Sequence, residues 1–395
     1  MPGAGDKGLR VLALSLADGL AHRGPGLSDP QVHHVKYLRF LAAEHVVVKT
    51  PAGAPSEPFE FAPGLRCYPT ASAGRFSFIL DCWRTARRIL AEHPIDLIAA
   101  QEPFGTGPVG LALARLTRKP LLVHDVCDFV DNPRWLGEEP INRVLNPVGK
   151  LVLRSADGVR VDNEEERQKL LALGLAPERV FNVPFVLNDA ARFARPEAHP
   201  ALRRQLLEDG RFDRIVLLVG RLEDQKDVPC ALKAARRLKE LAPRARFVIV
   251  GGGKREAQLR ALAAELGLGD SVLFAGFVPY DTLAEYYHSA DLFLLSSLYE
   301  TSPRVLALAC LAGLPIVSTR VSGATDLVRD GENGWLVEVG DDAAIAIGLA
   351  GALGNEAGAR AMGRRSAELA AGLGDEEAIL ARLEAMHRFV AARER

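Results

Sequence analysis

Short apolar runs recur along the whole chain, each bounded by turn residues and followed by a segment whose apolar positions have helical spacing. Such runs predict buried strands, and the segments between them predict connecting helices. The predicted strands are Arg10–Leu16, His45–Lys49, Asp96–Ala100, Pro120–His124, Gly158–Val161, Arg214–Gly220, Arg246–Val250, Ser271–Ala275, Asp291–Ser296, Ile316–Thr319 and Gly334–Val339. Because parallel strands need a crossover connection that is usually a helix, this alternation predicts parallel sheets covered by helices.

The alternation occurs twice, on either side of a stretch without clear periodicity at positions 188–199. A chain of 395 residues is also longer than one hydrophobic core usually serves. We therefore predict an α/β protein with two doubly wound domains, an N-terminal one over 1–190 and a C-terminal one over 200–372. Positions 373–395 carry apolar residues at helical spacing and predict a final amphipathic helix.

Three further segments of the chain predict helices. The first begins near Asp29 and Pro30, residue types that favour a cap and a first helical position, and its apolar spacing continues to Leu41. The second covers Val228–Leu241, and the third covers Asp341–Ala371, which is rich in alanine and interrupted by glycines. The first of them shows one apolar face, as expected for a helix lying on a sheet.

The composition excludes several classes of protein. A formal net charge of −1 argues against a general binder of nucleic acid or of membrane surfaces, because such binding needs an excess of Lys and Arg. Any basic group that matters must act locally. The five cysteines are scattered and form no Cys-x-x-Cys pair, so the sequence predicts neither a disulfide framework nor a zinc site. Reduced cysteines indicate a cytoplasmic protein.

The first apolar run, Leu9–Leu16, follows basic residues as the core of a signal peptide would, but Asp18 cuts it short, and we interpret it as a strand. No apolar run approaches the ~18 residues of a membrane span. We therefore expect any membrane contact to be peripheral, at the inner face of the membrane.

The stretch from Ala290 to Val328 is the centre of the candidate chemistry. It predicts a strand, a loop that holds Glu300, a short helix and a second strand. In such units the functional groups lie in the loops at the carboxyl ends of the strands. Arg221 and Lys226 follow an earlier strand in the same way. A forked guanidinium, a compact ammonium and a nearby helix start together suit a diphosphate.

Each of these signals also has a plainer interpretation. Arg221 and Lys226 are either diphosphate ligands or solvated loop charges paired with Glu223 and Asp224. A single loop carboxylate such as Glu300 is more often a surface residue than a functional one. Its position on the same sheet edge as the two cations favours contact with the hydroxyls of a sugar, each of which needs a hydrogen-bonding partner.

Two further groups stay open at this point. His124, Asp125 and Asp128 follow a predicted strand, but their spacing matches no metal-ligand motif, so they are either a hydrogen-bonded strand end or, for His124, a substrate-facing group. The loop that holds Gly24 and Gly26 either presents backbone N–H groups to an anion or only tightens a connection.

Several segments, taken together, carry a resemblance to a known family. They are VLLVGRLEDQK, FVIVGGG, VLFAGFVP, ADLFLLSSLYETSPRVL, LAGLPIVSTRVSGATDLV and DGENGWLV, with RGPGLSDPQVHHVKYLRFLA and DLIAAQEPF as looser matches. The chain resembles the retaining glycosyltransferases of family 4, which have the GT-B fold. This resemblance implies two Rossmann-like doubly wound domains facing a cleft, an acceptor-binding first domain and a donor-binding second domain. It also implies that the final helix packs back on the first domain; packing on its own domain is the plainer alternative.

The resemblance also implies roles for individual positions. Arg221 and Lys226 match the basic pair that holds the donor diphosphate, and Glu300 matches the first glutamate of the family's two-glutamate motif, which contacts the donor sugar. His124 matches the histidine near the donor sugar and the reacting centre. The donor- or nucleotide-binding positions implied in the same way are Gly24, Gly26, Gly251, Gly252, Ser302, Arg304, Val305, Leu308 and Gly323.

Three positions depart from the family's pattern. Leu308 stands eight residues after Glu300, where the family usually has a second glutamate that binds the nucleotide ribose, and leucine cannot accept those hydrogen bonds. The segment 183–189 reads VPFVLND, where the family commonly has a Val-Pro-Asn-Gly-Val-Asp turn. Asp326 stands in place of a usual glutamate. The first two departures bear on the strength of donor binding.

The resemblance therefore implies a retaining glycosyltransferase of glycan or glycoconjugate biosynthesis that moves a sugar from a UDP- or GDP-linked donor to an acceptor hydroxyl. The donor is a co-substrate, and neither a cofactor nor a metal is expected. The acceptor is a glycan, a lipid-linked molecule or a small molecule, and no nucleic-acid partner is expected. Two alternatives remain: a GT-B relic that binds nucleotide or glycan or serves as a partner subunit without turnover, and an epimerase acting on the same donors.

Overall fold

The chain forms two compact units. A computed structural model describes residues 8–24, 26–188, 190–194, 197 and 199–393. The first unit comprises the residues up to Asn188 together with those from Glu376 onward, and the second comprises the residues between them. The boundary falls at the start of the predicted linker, of which positions 189, 195, 196 and 198 lie outside the described residues, as do positions 1–7 of the predicted first domain.

The first unit is built on an eight-stranded sheet. Its strands are β1 (Leu9–Ser15), β2 (Leu41–Val48), β3 (Phe59–Ala62), β4 (Leu65–Pro69), β5 (Leu97–Ala100), β6 (Leu121–His124), β7 (Gly158–Val161) and β8 (Val180–Asn182). They lie in the order β3-β4-β2-β1-β5-β6-β7-β8, and every pair is parallel except β3 with β4. The helices between them are α1 (Asp29–Tyr37), α2 (Arg75–Glu92), α3 (Thr106–Thr117), α4 (Pro133–Glu138), α5 (Asn142–Ser155) and α6 (Glu164–Ala172).

The second unit is built on a six-stranded, wholly parallel sheet in the order β11-β10-β9-β12-β13-β14. Its strands are β9 (Arg214–Val219), β10 (Ala245–Val250), β11 (Val272–Gly276), β12 (Leu292–Leu295), β13 (Ile316–Thr319) and β14 (Gly334–Val337). Its helices are α7 (Ala190–Ala194), α8 (Pro200–Leu206), α9 (Val228–Leu241), α10 (Glu256–Glu265), α11 (Tyr280–Ser289), α12 (Arg304–Leu311), α13 (Ala324–Leu327), α14 (Asp342–Gly354) and α15 (Glu356–Ala370).

The last helix, α16 (Glu376–Ala391), packs on the first unit. Its apolar stripe shares a buried cluster with Tyr37 and Phe40, and Lys36 bonds to Glu376 at 2.6 Å. Gly158 has no side chain because a Cβ there would lie 2.4 Å from a methyl group of Val390. Close contact between helix and strand thus requires glycine at this position.

Helices cover both faces of the first sheet. On β1, Leu12 and Leu14 pack in a cluster with α2, α3 and α5, whereas Val11 packs in a cluster with α16. Successive side chains of a strand point to opposite faces, so these two clusters lie on opposite sides of the sheet. Within the described ranges no helix is long and apolar enough to cross a membrane.

Most predicted elements are observed, and the two α/β units, parallel except for the β3–β4 pair, confirm the predicted fold class. Val228–Leu241, Gly158–Val161 and Ile316–Thr319 have the predicted bounds. The helix expected to reach Leu41 is wrong at its end, because it stops at Tyr37 and Leu41 opens β2. The single helix expected over the alanine-rich segment is wrong too: it is two helices, α14 and α15, separated at an asparagine that caps the second.

The antiparallel β3–β4 hairpin was not predicted. Its signal is present in the sequence, since Pro63 and Gly64 form a turn between two short apolar runs. Gly64 has a φ of 82°, which glycine adopts at no steric cost. Helices α8 and α11 were also missed.

Candidate active site

Four loops of the second unit meet at one edge of its sheet. They follow β9, β10, β12 and β13, and the carboxyl ends of parallel strands lie at the same edge. The four loops cover 220–227, 251–255, 296–303 and 320–323. They contain both predicted diphosphate cations, the predicted sugar-binding carboxylate and most of the glycines implied in donor binding.

Lys226 and Glu300 form a buried ion pair between two of these loops. The Lys226 Nζ atom bonds to Glu300 Oε1, and the two side chains are only 15% and 10% exposed. The Ser297 hydroxyl donates to the same carboxylate oxygen at 2.7 Å. Two charges removed from water are tolerated only when each is well partnered, so the pair and its hydroxyl form one coupled unit.

Three hydrogen bonds to backbone carbonyl groups hold the two loops in this position. The Leu298 N–H donates to the Gln225 carbonyl at 2.8 Å, and the Gln225 side-chain amide donates to the Tyr299 carbonyl at 3.0 Å. The Ser296 hydroxyl donates to the Lys226 carbonyl at 2.8 Å. Gln225 was not predicted as a site residue. Its position in the loop between Arg221 and Lys226 was the signal that could have indicated it.

Arg221 differs from Lys226 in its surroundings. Its side chain is 69% exposed and lies 3.0 Å from Glu223, which is the plainer of the two interpretations given above. Asp224 does not pair with Lys226 but with Arg255. An exposed ion pair contributes about 0–1 kcal/mol to the stability of a fold, so breaking the Arg221–Glu223 pair costs little. Arg221 is therefore available to bind a more highly charged anion such as a diphosphate.

Two glycines allow the loops to approach each other. Gly323 has a φ of 73°, and a Cβ there would lie 1.7 Å from the Thr301 carbonyl oxygen. Gly251 has a φ of 132°, and its Cβ would lie 2.0 Å from the Gly220 carbonyl oxygen. Gly252 is different, since a Cβ there would meet nothing within 4 Å. Any other residue at the first two positions would force the loops apart.

Helix α12 presents the remaining predicted donor-binding positions. Arg304 is exposed at its first residue, after the half-buried Ser302. The Val305 carbonyl accepts a hydrogen bond from Tyr287 at 3.0 Å. Leu308 is 3% exposed on the buried face of the helix. A buried aliphatic side chain offers no hydrogen bond to a ribose, so any ribose contact must come from other groups.

Asp326 lies in the first turn of α13, the helix that begins just after Gly323, and its side chain is exposed. A carboxylate at this position is near the positive end of a helix only four residues long. The position that departs from the family's usual glutamate thus retains a negative charge on the same loop.

His124, the candidate residue of the first unit, ends β6 and lines a small cavity of about 110 Å³. The cavity is lined mainly by polar and aromatic side chains. They are Ser15, His33, His34, Tyr37, Glu44, Gln101, His124, Arg160, Phe185 and His387. The last of these comes from α16, so the C-terminal helix contributes to the cavity. Within it, His34 Nδ1 lies 2.7 Å from Glu44 Oε2.

Arg160 is the buried cation beside His124. It is 1% exposed on β7, and its guanidinium donates to the Val183 carbonyl at 2.9 Å and to the Pro184 carbonyl at 3.0 Å. It also lies 4.7 Å from the centre of the Phe185 ring. Its third nitrogen is 3.4 Å from His124 Nδ1. The segment that departs from the family's usual turn therefore anchors a positive charge next to the candidate histidine.

The protonation state of His124 follows from this neighbour. Burial, followed by the charge of Arg160, holds the pKa of His124 well below its ordinary value, so the ring is neutral at pH 7. A guanidinium can only donate, so Nδ1 must accept and the ring proton resides on Nε2. His124 is thereby set up as a neutral hydrogen-bond donor. Sequence reasoning missed Arg160, which carries no motif.

The loop that holds Gly24 and Gly26 is fixed by the start of α1. Ser28 and Gln31 form a capping box, and the Gln31 side chain also donates to the carbonyls of Leu20 and His22 at 3.1 and 2.9 Å. Gly26 has a φ of 77°. The open alternatives for this loop, anion contact or simple tightening, are both compatible with such an anchored turn.

Asp125 and Asp128 do not join His124 in a metal site. Asp128 bonds to Lys169, and Asp125 is 1% exposed with neither carboxylate oxygen hydrogen-bonded. Burial and the nearby Glu166 raise the pKa of Asp125 well above its ordinary value. In the part of the chain that the structure describes, no group of three His, Cys, Asp or Glu side chains is arranged to hold a metal ion.

Two family models match the chain. The model for glycosyl transferases group 1 matches residues 201–369, and the model for the glycosyl transferase 4-like domain matches residues 33–186. The D-inositol 3-phosphate glycosyltransferase of Acidothermus cellulolyticus is 36% identical over 368 residues, which are 88% of this chain and 78% of that protein. The two models together thus account for most of both units.

Solved structures share the fold. Sucrose-phosphate synthase from Thermosynechococcus elongatus has a TM-score of 0.80 at 21% identity and covers 96% of this chain and 98% of its own. Anabaena HepE in complex with UDP and glucose has a TM-score of 0.74 at 19% identity and covers 96% of this chain and 99% of its own. At such identities the likeness shows the fold, which both structures share over 96% of this chain.

Proposed function

The chain belongs to the group 1 glycosyltransferases of the GT-B fold, and from that premise we propose that it moves a sugar from a UDP- or GDP-linked donor to an acceptor hydroxyl with retention at the anomeric carbon. The observation that carries the proposal is the buried Lys226–Glu300 pair at the carboxyl edge of the second sheet. A buried ion pair is a costly feature, and this one offers an ammonium for a phosphate and a carboxylate for sugar hydroxyls.

In the proposed reaction the bond between the anomeric carbon and the diphosphate oxygen breaks, and its electron pair leaves with the diphosphate. Lys226 and Arg221 stabilise the charge that grows there. The acceptor oxygen forms its bond to the same face of the sugar, and its proton passes to the leaving phosphate. Glu300 accepts hydrogen bonds from the hydroxyls of the donor sugar. In the first unit, the neutral His124 is available as a hydrogen-bond donor through Nε2. No cofactor is needed.

We also propose that catalysis needs no metal ion, because the two cationic side chains can take the role that a metal plays on a leaving diphosphate. The test is the transfer rate of protein treated with a chelator, assayed with and without added Mg²⁺ or Mn²⁺. An unchanged rate is expected. A rate that collapses on chelation and returns with the metal would overturn this part of the proposal.

The main test is donor turnover by variants of the two cations. Lys226→Ala and Arg221→Ala should each lower kcat by about 10²–10³-fold, the usual effect of losing one electrostatic donor in an active site. Lys233 and Arg236 are exposed on the next helix, α9, and provide matched controls. Lys233→Ala and Arg236→Ala should keep full activity. Equal rates for all four variants would refute the assignment.

The stereochemistry and the chemical class of the reaction need a separate test. Anomeric NMR of the product should show the configuration of the donor retained, and mass analysis should show a heavier acceptor. An inverted product would contradict the retaining mechanism. A donor sugar changed at one carbon with no acceptor consumed would instead show an epimerase.

The second candidate is a relic that binds nucleotide without turnover, and the buried Leu308 favours it. A leucine side chain cannot accept hydrogen bonds from the ribose hydroxyls, so the affinity for the donor is expected to be lower than in relatives with a glutamate there. Calorimetry with UDP and GDP, combined with an assay of donor hydrolysis, separates the two candidates. Binding without hydrolysis or transfer would select the relic.

A further inference from the structure

One face of the sheet of the first unit is covered by a layer of helices that exposes large apolar side chains. Helices α2, α3 and α5 lie side by side, α2 against α3 and α3 against α5. Five large apolar side chains on these helices are exposed to solvent instead of packed. They are Phe76 (75% exposed), Leu80 (57%), Leu116 (60%), Val144 (60%) and Leu151 (56%). We call these five residues, with the basic side chains of the same three helices, the basic-apolar face.

The apolar side chains are aligned along each helix. On α2, Phe76 and Leu80 are separated by four residues, and Arg87 continues the same stripe seven residues further on. On α5, Val144 and Leu151 are separated by two turns. Residues at such spacings lie on one side of a helix. The exposed apolar groups thus belong to outward-facing stripes and are not scattered.

The same three helices carry a concentrated positive charge. Helices α2, α3 and α5 contain four, one and three basic residues against two acidic ones, and Arg118 and Lys119 directly follow α3, which gives a net formal charge of +8 over 75–92, 106–119 and 142–155 in a chain whose net charge is −1. Arg88, Arg115 and Arg143 are exposed, and none of them has a carboxylate oxygen of a described residue within 4 Å. The expectation from composition alone, that the chain lacks a membrane-binding surface, overlooked this segregation.

We propose that the basic-apolar face docks on the surface of an anionic lipid bilayer. Aromatic and aliphatic side chains would enter the boundary between headgroups and acyl chains, while the arginines next to them, such as Arg84 and Arg87, pair with lipid phosphates. Long cationic side chains can lie along apolar surface and keep their charge in the headgroup region. A polyanion in water would use the arginines but would leave Phe76 and Leu80 exposed to solvent, so charge and apolar stripe together select a lipid surface.

The proposed docking involves this face alone and does not depend on the transfer reaction. If both hold, the face would bring the enzyme to acceptors carried on lipid. The two ideas are tested separately, because vesicle binding needs no donor, and donor turnover with a water-soluble acceptor needs no vesicle.

The experiment is flotation of the full-length protein with vesicles. Vesicles of phosphatidylcholine and phosphatidylglycerol in equal parts should bind the protein, vesicles of phosphatidylcholine alone should not, and high salt should weaken the binding. Arg84→Gln with Arg87→Gln should reduce partitioning about 25-fold, since each basic group near an anionic surface accounts for about fivefold. Phe76→Ser with Leu80→Ser should reduce it at least about tenfold.

Matched controls come from exposed residues of the second unit. Arg236→Gln on α9 and Ile347→Ser on α14 should bind as the wild type does. Thermal melts establish that each variant is folded. As a readout that needs no variant, brominated lipids should quench the fluorescence of Trp83, which lies on α2 between Leu80 and Arg87.

Four outcomes would overturn the proposal. The first two are absence of wild-type binding and equal binding to the neutral vesicles. The third is displacement of the protein from anionic vesicles by inorganic phosphate at matched ionic strength. The fourth is loss of binding in the arginine variant while the variant with Phe76→Ser and Leu80→Ser binds as the wild type does. The last two would indicate an anion site or a polyanion surface in place of a bilayer. A dimer that dissociates on Phe76→Ser with Leu80→Ser, without any vesicle binding, would assign the face to a second copy of the chain.

Discussion

Replacing Lys226 with methionine is the sharpest test of the candidate site. The substitution keeps an unbranched side chain of similar length but removes the ammonium that partners Glu300. It leaves a carboxylate that is 10% exposed and that, among the residues the structure describes, keeps the hydrogen bond from the Ser297 hydroxyl. We expect the second unit to lose stability and the protein to lose donor binding.

The size of the stability loss can be estimated from the burial of the pair. Breaking a buried ion pair by removing one partner costs about 3–5 kcal/mol. The hydroxyl of Ser297 remains on the carboxylate, so the lower end, about 3 kcal/mol, is the expected value. For a unit of this size that loss lowers Tm by roughly 6–12 °C.

A double variant separates the cost of an unpaired charge from the loss of function. Combining Lys226→Met with Glu300→Leu removes both charges, and replacing both members of a buried pair with apolar groups is often neutral. We expect the double variant to regain stability to within about 1 kcal/mol of the wild type. Donor binding should stay lost, because neither the ammonium nor the carboxylate is present.

The assay must report on the second unit alone. Trp335 on β14 is the one tryptophan of that unit, since Trp83 and Trp135 belong to the first. Fluorine NMR of protein labelled with fluorotryptophan therefore follows its unfolding separately, and calorimetry with UDP measures binding. Lys233→Met, an exposed lysine on α9, is the matched control and should change stability by less than about 0.5 kcal/mol.

Two results would refute the reasoning. If Lys226→Met unfolds at the wild-type temperature, the ion pair does not contribute to the fold as its burial indicates. If the double variant is no more stable than the single one, the loss comes from packing and not from an unpaired charge. Retained donor binding in both variants would remove Lys226 from the site.

Three other predictions address the first unit and the glycine turns. Arg160→Met should raise the pKa of His124 toward its ordinary value, because a neighbouring cation has been removed, and an unchanged NMR titration of the ring would show that the guanidinium does not act on it. Gly323→Ala should cost about 3 kcal/mol by chemical denaturation, since a left-handed φ and a backbone clash act together, while Gly252→Ala should be nearly neutral; equal losses would contradict the close approach. Glu166→Gln should raise Tm at pH 8 but not near pH 5, because burial raises the pKa of this carboxyl to about 7, so the wild type loses stability as pH rises from about 4.5 to 7; a gain independent of pH would refute this.

Local chemistry in the sequence was enough to place most helices and strands. Helix α9 was predicted at its observed bounds because a proline stands in its first turn and its apolar spacing is regular. The end of α1 was not predicted, because Leu38 and Leu41 continue a helical pattern, although Leu38 is the half-buried C-cap of the helix and Leu41 is the first, buried residue of β2. Periodicity records which residues are buried, and not which element buries them.

The sequence could likewise predict only part of the candidate site. Turn chemistry and motifs pointed to Arg221, Lys226 and Glu300 as loop groups at strand ends, since the order of residues along a βα unit fixes which loops share an edge. They could not show that Lys226 is buried against Glu300 while Arg221 remains exposed, because burial depends on the packing of two loops far apart in the chain.

The sequence by itself determined the repeated βα alternation, the two-unit organisation and the residue types available at the sheet edge, since these follow from local spacing and turn preferences. Tertiary structure decided which charges are desolvated, such as Arg160 beside His124, and which apolar groups stay in water, such as Phe76 on α2. The physical reason is that solvation and Coulomb energies depend on distances through space, and those distances are set only when the helices and strands have packed.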